Sequence, residues 1–174
     1  MASPQLELER FLPYRLSVLA NVVSSAIASA YDERFGLSIP EWRVVAVLTR
    51  YPRLSAREVA DKSRMDAVAV SRAVNRLLRA GRLRRTVDAR DRRRSVLEVS
   101  AAGAAVYRQI APLALRFERD LLAALPPGRG EALHEIVGVL TERAEQLSPA
   151  MRTPRAARKA RPPRGPRRRK GQPG

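Results

Sequence analysis

The sequence predicts a mainly α-helical winged helix-turn-helix protein, with a small β-hairpin wing and a helical dimerisation region. Three observations predict it. Between Ser55 and Gly81 lie two short helical stretches, each introduced by a capping residue and joined by a short turn. Two alternating runs, Leu83–Val87 and Ser95–Val99, follow at once around a highly charged tip. Basic charge collects on the same stretch: residues 50–94 hold 15 basic and five acidic residues (+10), whereas the rest of 1–148 holds nine basic and 12 acidic (−3).

Leu12, Leu16, Leu19, Val23, Ala26 and Ala30 recur at alternating spacings of four and three, the narrow apolar seam of a helix that packs on another helix. Pro13 fits only the first turn, and Gly36 marks the expected end. Ser38 and Glu41 form a capping box that opens a helix through Trp42, Val45, Ala46 and Leu48, ending before Pro52. Ser55 and Glu58 repeat that signature for a helix to about Lys62, with Val59 and Ala60 inward. Ser63-Arg64-Met65 is the turn, without the usual Gly, and Asp66 caps a helix to Ala80 whose inner face is Val70, Val74, Leu77 and Leu78. In the second strand Ser95, Leu97 and Val99 point inward, Val96 and Glu98 outward. Ser100 caps a helix with Val106, Ile110, Leu113, Phe117 and Leu121 inward, which Pro112 should kink or split. After Pro126-Pro127-Gly128, a last helix lines up Leu133, Ile136, Val137, Leu140, Ala144 and Leu147.

The whole chain of 174 residues carries 34 Lys+Arg against 17 Asp+Glu, a charge of +17. Such an excess points to a polyanionic partner. Only Lys62, Lys159 and Lys170 are lysines, so the Arg and Ala bias of a GC-rich genome is an alternative source of part of it. From Pro149 onward ten basic residues, six prolines and no acidic residue predict a disordered basic tail. The expected organisation is an N-terminal dimerisation helix (1–36), a DNA-binding lobe (37–99), C-terminal dimerisation helices (100–148) and the tail (149–174).

Inventory argues against an enzyme. There is no Cys, His134 is the sole His, and neither a glycine-rich phosphate loop nor an acidic pair with metal-ligand spacing is present; no metal or cofactor is expected. Ala28-Ser29-Ala30 resembles a signal cleavage site, but Glu7 and Glu9 precede the run and Asn21 with four serines interrupts it. No apolar run reaches the ~20 residues of a membrane span, so no membrane partner and a cytoplasmic location are expected.

The functional surface follows from subtracting the core face of the Asp66–Ala80 helix. Val68, Ser71, Arg72, Asn75, Arg76 and Arg79 remain. Small residues at its start allow close approach to the major groove of double-stranded DNA. Ser71, Arg72 and Asn75 suit base edges, Arg favouring guanine and Asn adenine; Arg76 and Arg79 suit phosphates. A solvated helix face is the bland alternative, and the wing and local charge count against it. Ser55, at a helix N-terminus, offers a second phosphate contact. At the wing, Arg90 is the candidate for the minor groove, with Arg92, Arg93 and Arg94 beside it. Asp88 and Asp91 would shape the loop by pairing with those arginines. Tyr14, Trp42 and Val45 are candidates for an effector cleft, or else plain core.

Residues 37–103 closely resemble the MarR (multiple antibiotic resistance regulator) family, above all in Asp88-x-Arg90-Asp91-x-Arg93, set between Ser71-Arg72, Arg76-Leu77 and Gly81 on one side and Val99-Ser100-x-x-Gly103 on the other. The resemblance extends over about 8–148. It implies a homodimer formed by the terminal helices, a palindromic operator, usually repression, and often release by a small-molecule effector. Ser100 stands where the family usually has Thr, Pro112 interrupts the usual long helix, and the basic tail is additional. The rival reading is an architectural, nucleoid-type protein that binds DNA without sequence preference through its tail.

Overall fold

The computed structural model describes residues 5–87 and 95–151. Seven helices and one hairpin follow in order: α1 (Leu12–Ser29), α2 (Asp32–Phe35), α3 (Ile39–Arg50), α4 (Ala56–Ser63), α5 (Ala67–Arg79), β1 (Leu83–Val87), β2 (Ser95–Val99), α6 (Ala101–Leu122) and α7 (Arg129–Met151). The chain divides into two compact units, Met1–Leu122 and Ala123–Gly174.

The first unit is built around Leu37, Val44, Val45, Leu48, Val59, Val70, Val74, Leu77, Leu97 and Ile110, all essentially solvent-free. These side chains come from the segment before α3 (Leu37) and from α3, α4, α5, β2 and α6. The helix-turn-helix therefore sits on a core shared with the hairpin and the helix behind it, which fixes its attitude. β1 and β2 pair antiparallel from Leu83↔Val99 to Val87↔Ser95.

Several expectations are corrected. The first helix ends at Ser29, and Gly36 (φ 56°) instead closes the separate α2. The N–H groups of Ala30 and Tyr31 bond three residues back, to Ile27 and Ala28, and the chain turns so that Tyr31 enters the core. Val96, expected outside, is fully buried, while Ser95 is exposed. The alternation rule assumes a strand with one wet face. β2 has β1 on one edge and Leu54 on the other, where Leu97 N–H donates to the Leu54 carbonyl at 2.8 Å, and both α3 and α6 pack on it. In α5, Ala73 is buried and Leu78 only half-buried. Pro112 does not split α6, which runs unbroken for 22 residues. The proline removes one backbone donor; it lies exposed, while Ile110 two residues earlier anchors the helix in the core. Leu121 is exposed rather than inward. α7 continues past Pro149 to Met151.

Two backbone positions explain details of the turn chemistry. Arg64 takes the left-handed conformation (φ 53°) at the end of α4, the position where Gly is usual. Ser100 both starts α6, accepting from Gly103 N–H at 3.1 Å, and donates its hydroxyl to the Gly81 carbonyl at 2.6 Å. One side chain thus joins the end of the helix-turn-helix to the root of α6.

Candidate nucleic-acid interface

The rotation of α5 is set at its start and along its inner face. Asp66 accepts from the N–H groups of Val68 (2.9 Å) and Ala69 (3.1 Å), and Val70, Ala73, Val74 and Leu77 are buried. Val68, Ser71, Arg72, Asn75, Arg76 and Arg79 are consequently all exposed along one outer surface. Val68 keeps 56% of its surface in water, an unusual exposure for a valine and one the helix start imposes. Arg79 is steadied by a 3.3 Å bond from its Nε to the Asn75 carbonyl.

Arg76 differs from its neighbours. Its Nη1 lies 3.9 Å from Oε1 of Glu41, a buried carboxylate on α3. The other oxygen of Glu41 accepts from both the N–H (2.8 Å) and the hydroxyl (2.9 Å) of Ser38. A cavity of about 340 Å³ adjoins these groups, lined by Asp32, Ser38, Glu41, Arg76 and Arg82. Arg82 donates to the Phe35 carbonyl. Periodicity identified Glu41 only as a cap; its second partner is on a helix 35 residues away and left no sequence signal.

Ser55 is half-buried at the head of α4, and both its donors are already engaged: N–H and hydroxyl bond to Glu58 Oε2 at 2.8 and 2.7 Å. At the foot of the hairpin, Glu98 receives Arg53 at 2.7 Å and lies 4.0 Å from Arg84. Arg53 has a left-handed backbone (φ 63°), and this ion pair ties it to β2. Asp88, Arg90, Asp91, Arg92, Arg93 and Arg94 lie outside the described residues, as does the basic tail beyond Met151.

The three cleft candidates occupy different settings. Tyr14 is exposed on the first turn of α1. Val45 is buried in the core, and Trp42 is half-buried between two rings: stacked on Tyr107 (centroids 5.5 Å, 20°) and tilted against Tyr31 (5.9 Å, 41°). Burial pushes the Tyr31 hydroxyl up to about 12, against the lowering effect of nearby Arg43 and with a smaller rise from Asp32, so it stays neutral at physiological pH. A smaller cavity of about 210 Å³ lies between α1 and α6, walled by Ala26, Ile27, Leu113, Arg116 and Phe117. Sequence reading missed it because its walls are not adjacent in the chain.

Apolar seams on two helices are exposed. On α1, Leu12, Leu16 and Leu19 lie open to solvent. So, within the second unit, do Leu133, Ile136, Val137, Leu140 and Leu147 of α7. Among the described residues no helix is long and apolar enough to cross a membrane, and no cluster of His, Cys, Asp or Glu is placed to hold a metal.

Solved structures share this architecture. The chain is similar to the PcaV transcriptional regulator from Streptomyces coelicolor, solved with its natural ligand: 21% identity, 82% of this chain and 99% of that one, TM-score 0.67. It is similar to a MarR/EmrR family transcriptional regulator from Acinetobacter sp. ADP1 at 23% identity, covering 81% and 99%, with a TM-score of 0.74. It also matches BpsR from Bordetella bronchiseptica, whose DNA binding is regulated by 6-hydroxynicotinic acid, at 16% identity, 79% and 98% coverage and a TM-score of 0.69. No curated protein matches the sequence. Residues 35–94, a stretch that contains the helix-turn-helix and the hairpin's first strand, match the model of the MarR family.

Proposed function

We propose that this protein is a homodimeric transcriptional regulator that reads double-stranded DNA in sequence-specific fashion and catalyses no reaction. The observation that carries the reading is the outer surface of α5, where Val68, Ser71, Arg72 and Asn75 are exposed on a helix whose opposite side is locked into the core. One helix fits the ~12 Å major groove. Exposed Val68 suits a thymine methyl, Arg72 a guanine and Asn75 an adenine, while Arg79 meets a phosphate. The wing arginines, Arg90 foremost, reach the adjacent minor groove, with Asp88 and Asp91 shaping that loop. Ser55 contributes to backbone contact through the head of α4 and not through its hydroxyl, which Glu58 occupies.

The finer role is repression from a palindromic operator, relieved by a small molecule. Support for an effector comes from PcaV, solved with a ligand, and from BpsR, regulated by 6-hydroxynicotinic acid. Support for the dimer comes from the exposed seams of α1 and α7, whose two-fold pairing would present two recognition helices to two half-sites.

The test is selection of duplexes from a random pool by a protein ending at Ala150. A palindromic motif should emerge; failure to prefer any duplex over genomic competitor would refute the reading. The architectural alternative predicts instead that binding vanishes with the tail. For the full chain, the tail's ten basic residues should raise the on-rate and steepen the salt dependence without changing the selected motif. Arg72→Ala should weaken operator binding by about 1–3 kcal/mol and relax the preference at one base position. Equal weakening on random DNA would reassign Arg72 to a phosphate.

A further inference from the structure

We propose that Glu41 is a specificity-determining residue: it holds Arg76 back from the DNA backbone, and so lowers non-specific affinity relative to base-dependent binding. The inference rests on the DNA-binding reading above.

The geometry is asymmetric. The Glu41 side chain is 7% exposed and the Arg76 side chain 63%, with Arg76 Nη1 3.9 Å from Glu41 Oε1. A carboxylate so far removed from water is tolerated only when it is paired and hydrogen-bonded. Ser38 satisfies one of its oxygens, and the other faces Arg76. If Arg76 swung out to a phosphate, it would strand a buried negative charge behind it and bring a second negative charge nearer. Paired, Arg76 adds little net positive charge to the recognition face. Among the described residues neither Arg72 nor Arg79 has an acidic partner, so the withdrawal is selective. It falls on one arginine in the last turn of the helix, just beyond the positions suited to bases, and leaves Arg72 free to read them.

The test uses four full-length proteins: native, Glu41→Gln, Arg76→Ala and the double variant. Gln can keep the capping-box bonds with Ser38, so the substitution removes charge with little loss of the helix start. Binding to a selected operator duplex and to a random-sequence duplex is followed against salt. Glu41→Gln should bind random DNA more tightly, with a log–log salt slope steeper by about 0.9 per engaged subunit, the signature of one added phosphate contact. The operator-to-random ratio should fall. Arg76→Ala alone should leave the slope unchanged, yet cancel the gain in the Glu41→Gln background. A native slope in Glu41→Gln, or a slope reduced by about 0.9 in Arg76→Ala, overturns the proposal. Thermal unfolding of the same four proteins without DNA provides a second reading: a coupled pair gives non-additive shifts in Tm, and additive shifts also overturn it. If no variant binds any duplex while the coupling persists, the DNA-binding reading has failed and takes this role of Glu41 with it.

Discussion

Gly103→Ala is expected to destabilise the winged unit by about 3 kcal/mol, at the upper end of the usual cost of overpacking. The sign is the informative part. In an ordinary helix the same change stabilises by about 0.5–1 kcal/mol, because Ala loses less backbone freedom on folding. Here a Cβ at position 103 would overlap the Arg82 carbonyl and stand 2.9 Å from Val99 Cγ1. That carbonyl cannot give way freely, because it accepts the Ser100 N–H at 3.0 Å. The obstruction is backbone held by a hydrogen bond, at the junction of α5, the hairpin and α6. Urea unfolding followed by circular dichroism checks this through a lowered midpoint. An unchanged or raised midpoint would show that the junction is loose.

The second large effect concerns assembly. If the protein is the proposed dimer, Ile136→Glu combined with Leu140→Glu is expected to convert it to a monomer at micromolar concentration, and to reduce operator affinity at least about 100-fold, or roughly 3 kcal/mol. Both side chains are exposed within their own unit, so charge placed there removes nothing from the unit's interior. In a dimer the same positions would meet apolar partners, and four buried carboxylates across a two-fold axis are prohibitive. Sedimentation velocity gives the mass and a gel-shift titration the affinity. Monomer mass in the native protein, or dimer mass in the variant, would remove α7 from the interface.

Reading the chain in one dimension went far where the controlling interactions are short in sequence. Ser38 with Glu41, Ser55 with Glu58 and Asp66 with the following amides all act within three residues, so the helix starts were legible as residue types. The exposed side of α5 was legible for the same reason: a 3.6-residue period assigns Val70, Val74 and Leu77 to one side and Arg72, Asn75 and Arg79 to the other. Errors arose where distant chain intervenes. Tyr31 left the line of α1 for the core, Val96 was covered on a strand with neighbours on both edges, and Pro112 was carried by a helix anchored at Ile110.

Amino-acid order alone settled the mainly helical class, the helix-turn-helix, the hairpin and the concentration of positive charge between residues 50 and 94, since each depends on neighbours a few bonds or one turn apart. Folding in three dimensions decided which of those charges stand free. Arg76 faces Glu41, Arg53 and Arg84 share Glu98, and the hydroxyl of Ser100 spans to Gly81; these partners lie 14 to 45 residues apart. A charge depends on the distance to its counter-charge and on how much water lies between them, and only the packed chain sets either one.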